Sequence, residues 1–283
     1  KELQRWLNDD PSLKVVDADF VHLFKSWFNR GFLHLEQISW DTPAAVLEKL
    51  IAYEAVHAIT GWDDLRRRLE ADRRCYAFFH PALPGDPLIF VEVALTKGLA
   101  SSVQTLLQDE AEGATERQNQ ADTAIFYSIS NCQEGLKGIS FGNFLIKQVA
   151  AELKSELPHI KTFSTLSPVP GFNQWRKSNP VDKETGEPSD DAERKVLMKQ
   201  CAHYLCKEKR RELPLDPVAR FHLGNGARLE RINWMGDTSK RGKAQSEGIM
   251  VNYLYDLRSI EANHEALWRE GKVVMSREVK SYL

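Results

Sequence analysis

At 283 residues, with 38 Lys and Arg against 40 Asp and Glu for a formal charge of -2, the chain lacks the basic field that drives non-specific nucleic-acid binding. Hydrophobic residues make up 42% and charged residues 28%, the composition of an ordinary globular protein. No apolar run approaches the roughly 20 residues that span a bilayer, so no membrane span is expected.

Four scattered cysteines, Cys75, Cys132, Cys201 and Cys206, form no CxxC pair and no disulfide framework, which fits a reducing, cytoplasmic setting. The opening KELQRWLNDD has no apolar signal core and no leading Met, as expected for the body of a longer protein. Residues 12–70 repeat apolar side chains at helical spacing, first Phe20, Leu23, Phe24, Trp27 and Phe28, then Val46, Leu47, Leu50 and Ile51. The second run follows Asp41-Thr42-Pro43, where Thr or Asp can cap a helix with Pro at its first position. An all-helical segment is therefore expected to about residue 70.

The character changes at RCYAFFH and PLIFVEVAL, two β-rich runs separated by the turn signal LPGD. A third strand at 123–130, a glycine-containing loop, the helix FLIKQVAAELKSEL and a fourth strand at 160–167 make a crossover unit, and therefore parallel pairing within a mixed sheet. Residues 177–194 read as an exposed polar loop. Helices are expected near 192–208 and 216–223, strands near 228–235 and 249–257, and a closing helix from about 259.

The loop Lys137-Gly138-Ile139-Ser140-Phe141-Gly142-Asn143 leads from strand into helix, so its backbone N–H groups and the helix N-terminus offer a cradle for phosphate. Its spacing is neither a P-loop nor GxGxxG. It resembles the pyrophosphate loop of the acetyltransferase (GNAT) fold, with Ser140 where Gly is common, and an ordinary strand-to-helix turn fits the same residues.

Four blocks in order are similar to the malonyl-CoA decarboxylase family: FYSISNCQEGLKGISFGNFLIKQVAAEL, FSTLSPVPGFNQW, LDPVARFHLGNGARLERINWMGDTSKRG and GIMVNYLY. The resemblance implies an α/β, acetyltransferase-like mixed sheet with flanking helices in a catalytic domain over 71–283. Residues 1–70 would be the remnant of a helical domain through which the chain homo-oligomerises. It implies conversion of malonyl-CoA to acetyl-CoA and CO2 with no metal and no cofactor, coenzyme A being part of the substrate. The catalytic pair it implies is Ser167 of LSPVPGF and His222 of FHLGNGA.

Loss of CO2 from a malonyl thioester leaves an enolate, so the chemistry asks for donors at the thioester oxygen and an acid to protonate carbon. Ser167 ends a strand where α/β sheets commonly open ligand crevices, and Pro168 biases it toward extended backbone. A strand-ending Ser before a proline turn is the bland alternative. Strand alternation turns Ser164 to the opposite face and leaves Thr165 beside Ser167 as a supporting donor. His222 follows the helix start Asp216-Pro217 and precedes Gly224, a helix stop. It should lie in a last turn whose carbonyl dipoles favour the imidazolium a proton donor needs.

His264-Glu265, His57 and His80 lack partners at metal spacing. Lys240, Arg241 and Lys243 suit either the 3'-phosphate of coenzyme A or a solvated loop, and Cys132 reads as a packed residue. Tyr253 and Tyr255 line the acyl pocket or the core. An N-acyltransferase and a non-catalytic acyl-CoA sensor are the competing functions, and a sensor has no use for the Ser167–His222 pair.

Overall fold

The computed structural model describes residues 2–28, 31–108, 112–136, 144–180 and 190–283. In chain order, helices α1 (Glu2–Asp9) and α2 (Lys14–Trp27) precede strand β1 (His34–Ile38), helices α3 (Ala44–Tyr53) and α4 (Trp62–Arg68), and strands β2 (Arg73–Phe79) and β3 (Ile89–Thr96). Helices α5 (Val103–Gln108) and α6 (Ala114–Gln120) lead to β4 (Thr123–Asn131), α7 (Phe144–Glu156), β5 (Thr162–Thr165), β6 (Ser167–Pro168) and α8 (Phe172–Ser178). Then come α9 (Asp190–Cys206), the short pair β7 (Lys209–Arg210) and β8 (Leu213–Pro214), α10 (Pro217–Gly224) and β9 (Arg228–Asn233). Helix α11 (Lys240–Ser246), β10 (Met250–Leu254), α12 (Ile260–Glu270) and α13 (Arg277–Lys280) complete the chain.

The chain divides into two compact units, residues 1–93 with 128–156, and residues 94–127 with 157–283. In the first, the strand order is β1-β2-β3-β4. Helix α3 buries Val46, Leu47 and Leu50, spaced for one face, into a core with Ile38, Leu65, Phe79 and Phe90. Thr42 does not cap this helix: its Oγ1 accepts the N–H of Ser39, and Pro43 stands at the cap position with no side-chain bond.

The expectation of an all-helical segment to residue 70 is corrected by β1, which pairs antiparallel with β2 from His34↔Phe79 to Ile38↔Cys75. HLEQI is mostly polar, and the partner strand supplies the ordering that its own side chains do not. On α2, Leu23 and Trp27 are 39% and 54% exposed. This unit also buries ions. Arg68 donates to Glu92 at 2.9 Å and to Asp64, while burial pushes the Glu92 carboxyl up to about 8 against the pull of that guanidinium.

In the second unit the order is β3-β4-β5-β10-β6, with β9 also on β10. The expected crossover is present: β4 and β5 pair in parallel from Thr123↔Thr162 to Phe126↔Thr165. Helices α5 and α6, between β3 and β4, were not anticipated from the sequence pattern. Strand β10 runs antiparallel to β5, β6 and β9, and the β9 register slips between Asn252 and Tyr253, a bulge.

Helix α10 is closed at both ends by named bonds. Asp216 accepts the N–H groups of Val218 and Ala219 at its start. At its end Ala227 N–H reaches His222 O and Gly226 N–H reaches Leu223 O, a Schellman motif in which Gly226, at φ +82°, is the left-handed residue. The stop is thus Gly226 rather than Gly224, which is the last residue of the helix. A Cβ at Gly226 would lie 2.1 Å from Ile260 O, whereas one at Gly224 meets nothing within 4 Å. Gly226→Ala should therefore cost about 1–3 kcal/mol in urea unfolding, and Gly224→Ala should be neutral or stabilising by up to about 1 kcal/mol. Equal effects would refute this assignment of the helix end.

Candidate active site

Ser167 and His222 are 55 residues apart in sequence, and the second unit brings them together: Ser167 Oγ lies 3.1 Å from His222 Nε2. The local backbone explains why. β5 ends at Thr165 and β6 begins at Ser167, whose partner is Val251 on β10, while Leu166 N–H is bonded to Phe126 O. Side chains bridge the break in the ladder, since Thr165 Oγ1 accepts Tyr253 N–H at 3.1 Å and Asn252 Nδ2 donates to Thr165 O at 2.7 Å. Thr165 Oγ1 also accepts the Ser167 hydroxyl at 2.9 Å, and Ser164 turns away to donate to Tyr253 O, the alternation expected from the sequence.

Asp216 joins the two halves of the pair. Besides capping α10, its carboxylate accepts Gly171 N–H and the Tyr204 hydroxyl, both at 3.3 Å, tying the turn after Ser167 to the helix that bears His222. Burial raises this carboxyl, and the four donors around it hold it back toward the ionised form.

His222 is 4% exposed and Ser167 5%. The imidazole stacks on Tyr253, ring centroids 4.7 Å apart at 24°, and its Nδ1 lies 2.8 Å from the Tyr255 hydroxyl. The two tyrosines thus divide into a stacking platform and a hydrogen-bond partner. Tyr253 is fully buried, and its oxygen has no hydrogen-bond partner among the described residues.

The charge state of His222 corrects the sequence expectation. It does sit in the last turn of α10, where a helix dipole offers an imidazolium up to about 2 kcal/mol. Burial without a neighbouring carboxylate outweighs that and lowers its pKa to about 3, so the ring is neutral at physiological pH. Its hydrogen-bond partners among the described residues are uncharged hydroxyls.

The loop residues Lys137, Gly138, Ile139, Ser140, Phe141, Gly142 and Asn143 lie outside the described residues. Lys240, Arg241 and Lys243 stand on α11, a short helix capped by Ser239, rather than in a loop. Cys132 is buried, and burial pushes its thiol well up, as suits a packed residue. No cluster of three or more His, Cys, Asp or Glu with metal-binding geometry occurs among the described residues. What the sequence reading missed is the Asp216 tie to Gly171 and Tyr204, and the bond from Tyr255 to His222.

A family model of the malonyl-CoA decarboxylase C-terminal domain matches residues 31–190 and 182–283. The chain belongs to the malonyl-CoA decarboxylase family. The crystal structure of malonyl-CoA decarboxylase from Rhodopseudomonas palustris is 50% identical, with a TM-score of 0.89 over 99% of this chain and 73% of that one. The mitochondrial malonyl-CoA decarboxylase of Anser anser anser is 40% identical over 97% of this chain, which spans 62% of the goose protein. A GNAT-like decarboxylase solved with isobutyryl-CoA is similar at a TM-score of 0.54 and 18% identity, covering 80% of this chain and 100% of that one. That likeness bears on the fold, which is acetyltransferase-like with flanking helices, as the sequence resemblance implied.

The depressed pKa of His222 has a consequence for stability. The unfolded chain takes up a proton near the ordinary 6.5 and the folded chain only near 3, so His222 favours folding above 6.5 and this contribution is lost as pH falls toward 3. Urea midpoints measured from pH 7 to pH 4 should therefore decline less steeply in His222→Gln than in the unsubstituted chain. Parallel curves would show that His222 is not held neutral by burial.

Proposed function

We propose that this chain decarboxylates malonyl-CoA to acetyl-CoA and CO2, with Ser167 and His222 as its catalytic pair. The observation that carries the reading is the Ser167–His222 contact at 3.1 Å between two buried side chains whose further partners are hydroxyls, on residues whose motifs match the family. The family membership of nearly the whole chain supports the substrate.

The chemistry follows from the surroundings. The bond between the α-carbon and the carboxylate breaks, its electron pair moves into the thioester as an enolate, and CO2 departs. A carboxylate is a concentrated charge that loses much when it leaves water, while the enolate spreads its charge, so a dry site without a cation favours the step. Ser167 hydrogen-bonds the malonyl group. His222 gives its ring proton, as a neutral donor, to the α-carbon, and water returns a proton to the ring. Neutral imidazole is competent as an electrophile in enolate chemistry.

The loop from Lys137 to Asn143 is proposed as the pyrophosphate cradle, on the strength of its strand-to-helix setting and spacing. Residues 71–283 are proposed as the catalytic body. The exposed Leu23 and Trp27 on α2 support a homo-oligomer through residues 1–70. Four unpaired, buried cysteines support a reducing, cytoplasmic compartment.

The test is direct. Incubated with malonyl-CoA and no amine, the protein should release CO2 and acetyl-CoA, and Ser167→Ala should lower kcat on the order of 10²-fold to 10³-fold. In D2O with a prochirally labelled substrate, the unsubstituted enzyme should protonate carbon stereoselectively, and His222→Asn should be slow and lose that selectivity. Absence of CO2 release refutes the decarboxylase reading. Retained rate and stereochemistry in a folded His222→Asn removes His222 from the mechanism.

A further inference from the structure

Strand β10 faces β5 with Leu254 opposite Ser164, and Tyr255 N–H donates to Phe163 O at 2.8 Å. Hydrogen-bonded positions of an antiparallel ladder recur at every second residue, so Tyr253 N–H and Thr165 O are the next two groups due to meet. Both have side-chain partners instead. Thr165 O accepts Asn252 Nδ2 at 2.7 Å, and Tyr253 N–H donates to Thr165 Oγ1 at 3.1 Å. The exchange matters because Thr165 Oγ1 is also the atom that accepts the Ser167 hydroxyl, at 2.9 Å. With its carbonyl occupied, Thr165 meets the Tyr253 amide through its side chain, and that bond keeps the hydroxyl facing Ser167.

We infer that Asn252 is a positioning residue for Ser167: by taking Thr165 O out of the ladder, it holds the Thr165 hydroxyl against the serine. Asn252 is fully buried. Its Nδ2 donates to Thr165 O and, at 3.0 Å, to Ala100 O, while its Oδ1 accepts Arg231 Nε at 3.1 Å and Asn233 Nδ2 at 2.9 Å. Main-chain carbonyls can only accept and a guanidinium can only donate, so the amide has one orientation and its hydrogen-bonding capacity is filled. Arg231 is fixed in turn by Nη2 to Leu99 O at 2.9 Å. The end of β5, the segment after β3 and strand β9 thus converge on one side chain of the second unit. Ser167 Oγ has contacts to Thr165 and to His222 Nε2, so a loosened Thr165 leaves the serine tethered at His222 alone among the described residues. Aspartate has the size of asparagine but would turn an oxygen toward two carbonyls that repel it.

This inference rests on the decarboxylase reading for its kinetic consequence alone, so its primary test needs no turnover. The χ1 rotamer of Thr165 is read by NMR from three-bond couplings to its γ-methyl carbon, in the full chain carrying ¹³C,¹⁵N-labelled threonine, with the Thr165 signal identified by difference against Thr165→Val. The unsubstituted chain should show one rotamer. Asn252→Asp should show averaging at Thr165 and none at Thr123, a buried threonine bonded to Asp122, whereas a general loosening would move both. Arg231→Met, which removes one of the two donors that orient the amide, should do the same in smaller degree. In turnover, Thr165→Val and Asn252→Asp should each lower kcat about tenfold, the value of one hydrogen bond, with KM within about twofold, and Thr165→Ser, which keeps the hydroxyl, should retain kcat within about twofold. Because Asn252 acts through Thr165, adding Asn252→Asp to Thr165→Val should cost less than about twofold more, while a direct effect of the new charge on the site would persist in that background. A single Thr165 rotamer in whichever of Asn252→Asp and Arg231→Met folds, or additive losses in the double variant, overturns the inference. If instead the rotamers behave as stated and no CO2 is released from malonyl-CoA, the decarboxylase reading falls and the placing of Thr165 by Asn252 stands.

Discussion

The burial of one imidazole without a charged partner is the constraint around which the second unit is organised. An uncharged His222 can be kept dry only if both of its nitrogens find hydrogen bonds, and it finds them in Ser167 and Tyr255. Ser167 comes from β6 and Tyr255 follows directly on β10, the strand with which β6 pairs, while His222 itself comes from a helix fixed at both ends. A loosened cap at Asp216 or a displaced turn at Gly226 would reach the site through α10. The tie from Asp216 to Gly171 and Tyr204 matters for the same reason, because it couples the segment after Ser167 to the N-terminus of the helix that carries His222.

The first unit and the surroundings of His222 treat ionisable groups differently. In the first, Arg68 is buried with Glu92 and Asp64, and the Glu54 carboxylate accepts the hydroxyls of Ser128 and Ser130. Buried charge there is met by a counter-charge or by several donors, the arrangement that keeps such groups from destabilising a core. In the second, the site offers hydroxyls and aromatic faces to His222 and no ion. Surroundings of that kind are poorly suited to holding a carboxylate and well suited to letting one leave as CO2, which is the chemical sense of their neutrality in the proposed reaction.

Much of this was legible in the sequence because it is local. The crossover from β4 to β5 follows from an apolar run, a glycine loop and a helical repeat, and Asp216-Pro217 announces the start of α10. Ser167 and His222 were nameable from their motifs, with Thr165 beside Ser167 by strand alternation. What failed was non-local. β1 is a polar strand ordered by its pairing with β2, and the Asp216 tie joins residues 45 and 12 positions away. The charge of His222 was misjudged for the same reason: the helix dipole can be read from sequence position, whereas desolvation depends on what packs over the ring, and it is the larger effect. In the sequence Gly224 reads as the helix stop because a glycine near a helix end is a strong signal. The left-handed position fell two residues later, where only the backbone of α12 reveals the need for it.

The claim that the working form of His222 is the neutral, buried imidazole is most directly tested by the pH dependence of kcat/KM for malonyl-CoA, which reports ionisations of the free enzyme and free substrate. Dividing the value for the unsubstituted enzyme by that for His222→Asn cancels every ionisation the two share, including those of the substrate. Between pH 5 and pH 8 this ratio should be constant, since His222 in the free enzyme titrates only near 3. A ratio that bends near the ordinary histidine value of 6.5, or that falls steadily as pH rises, would mean that an imidazolium does the work and would contradict the account.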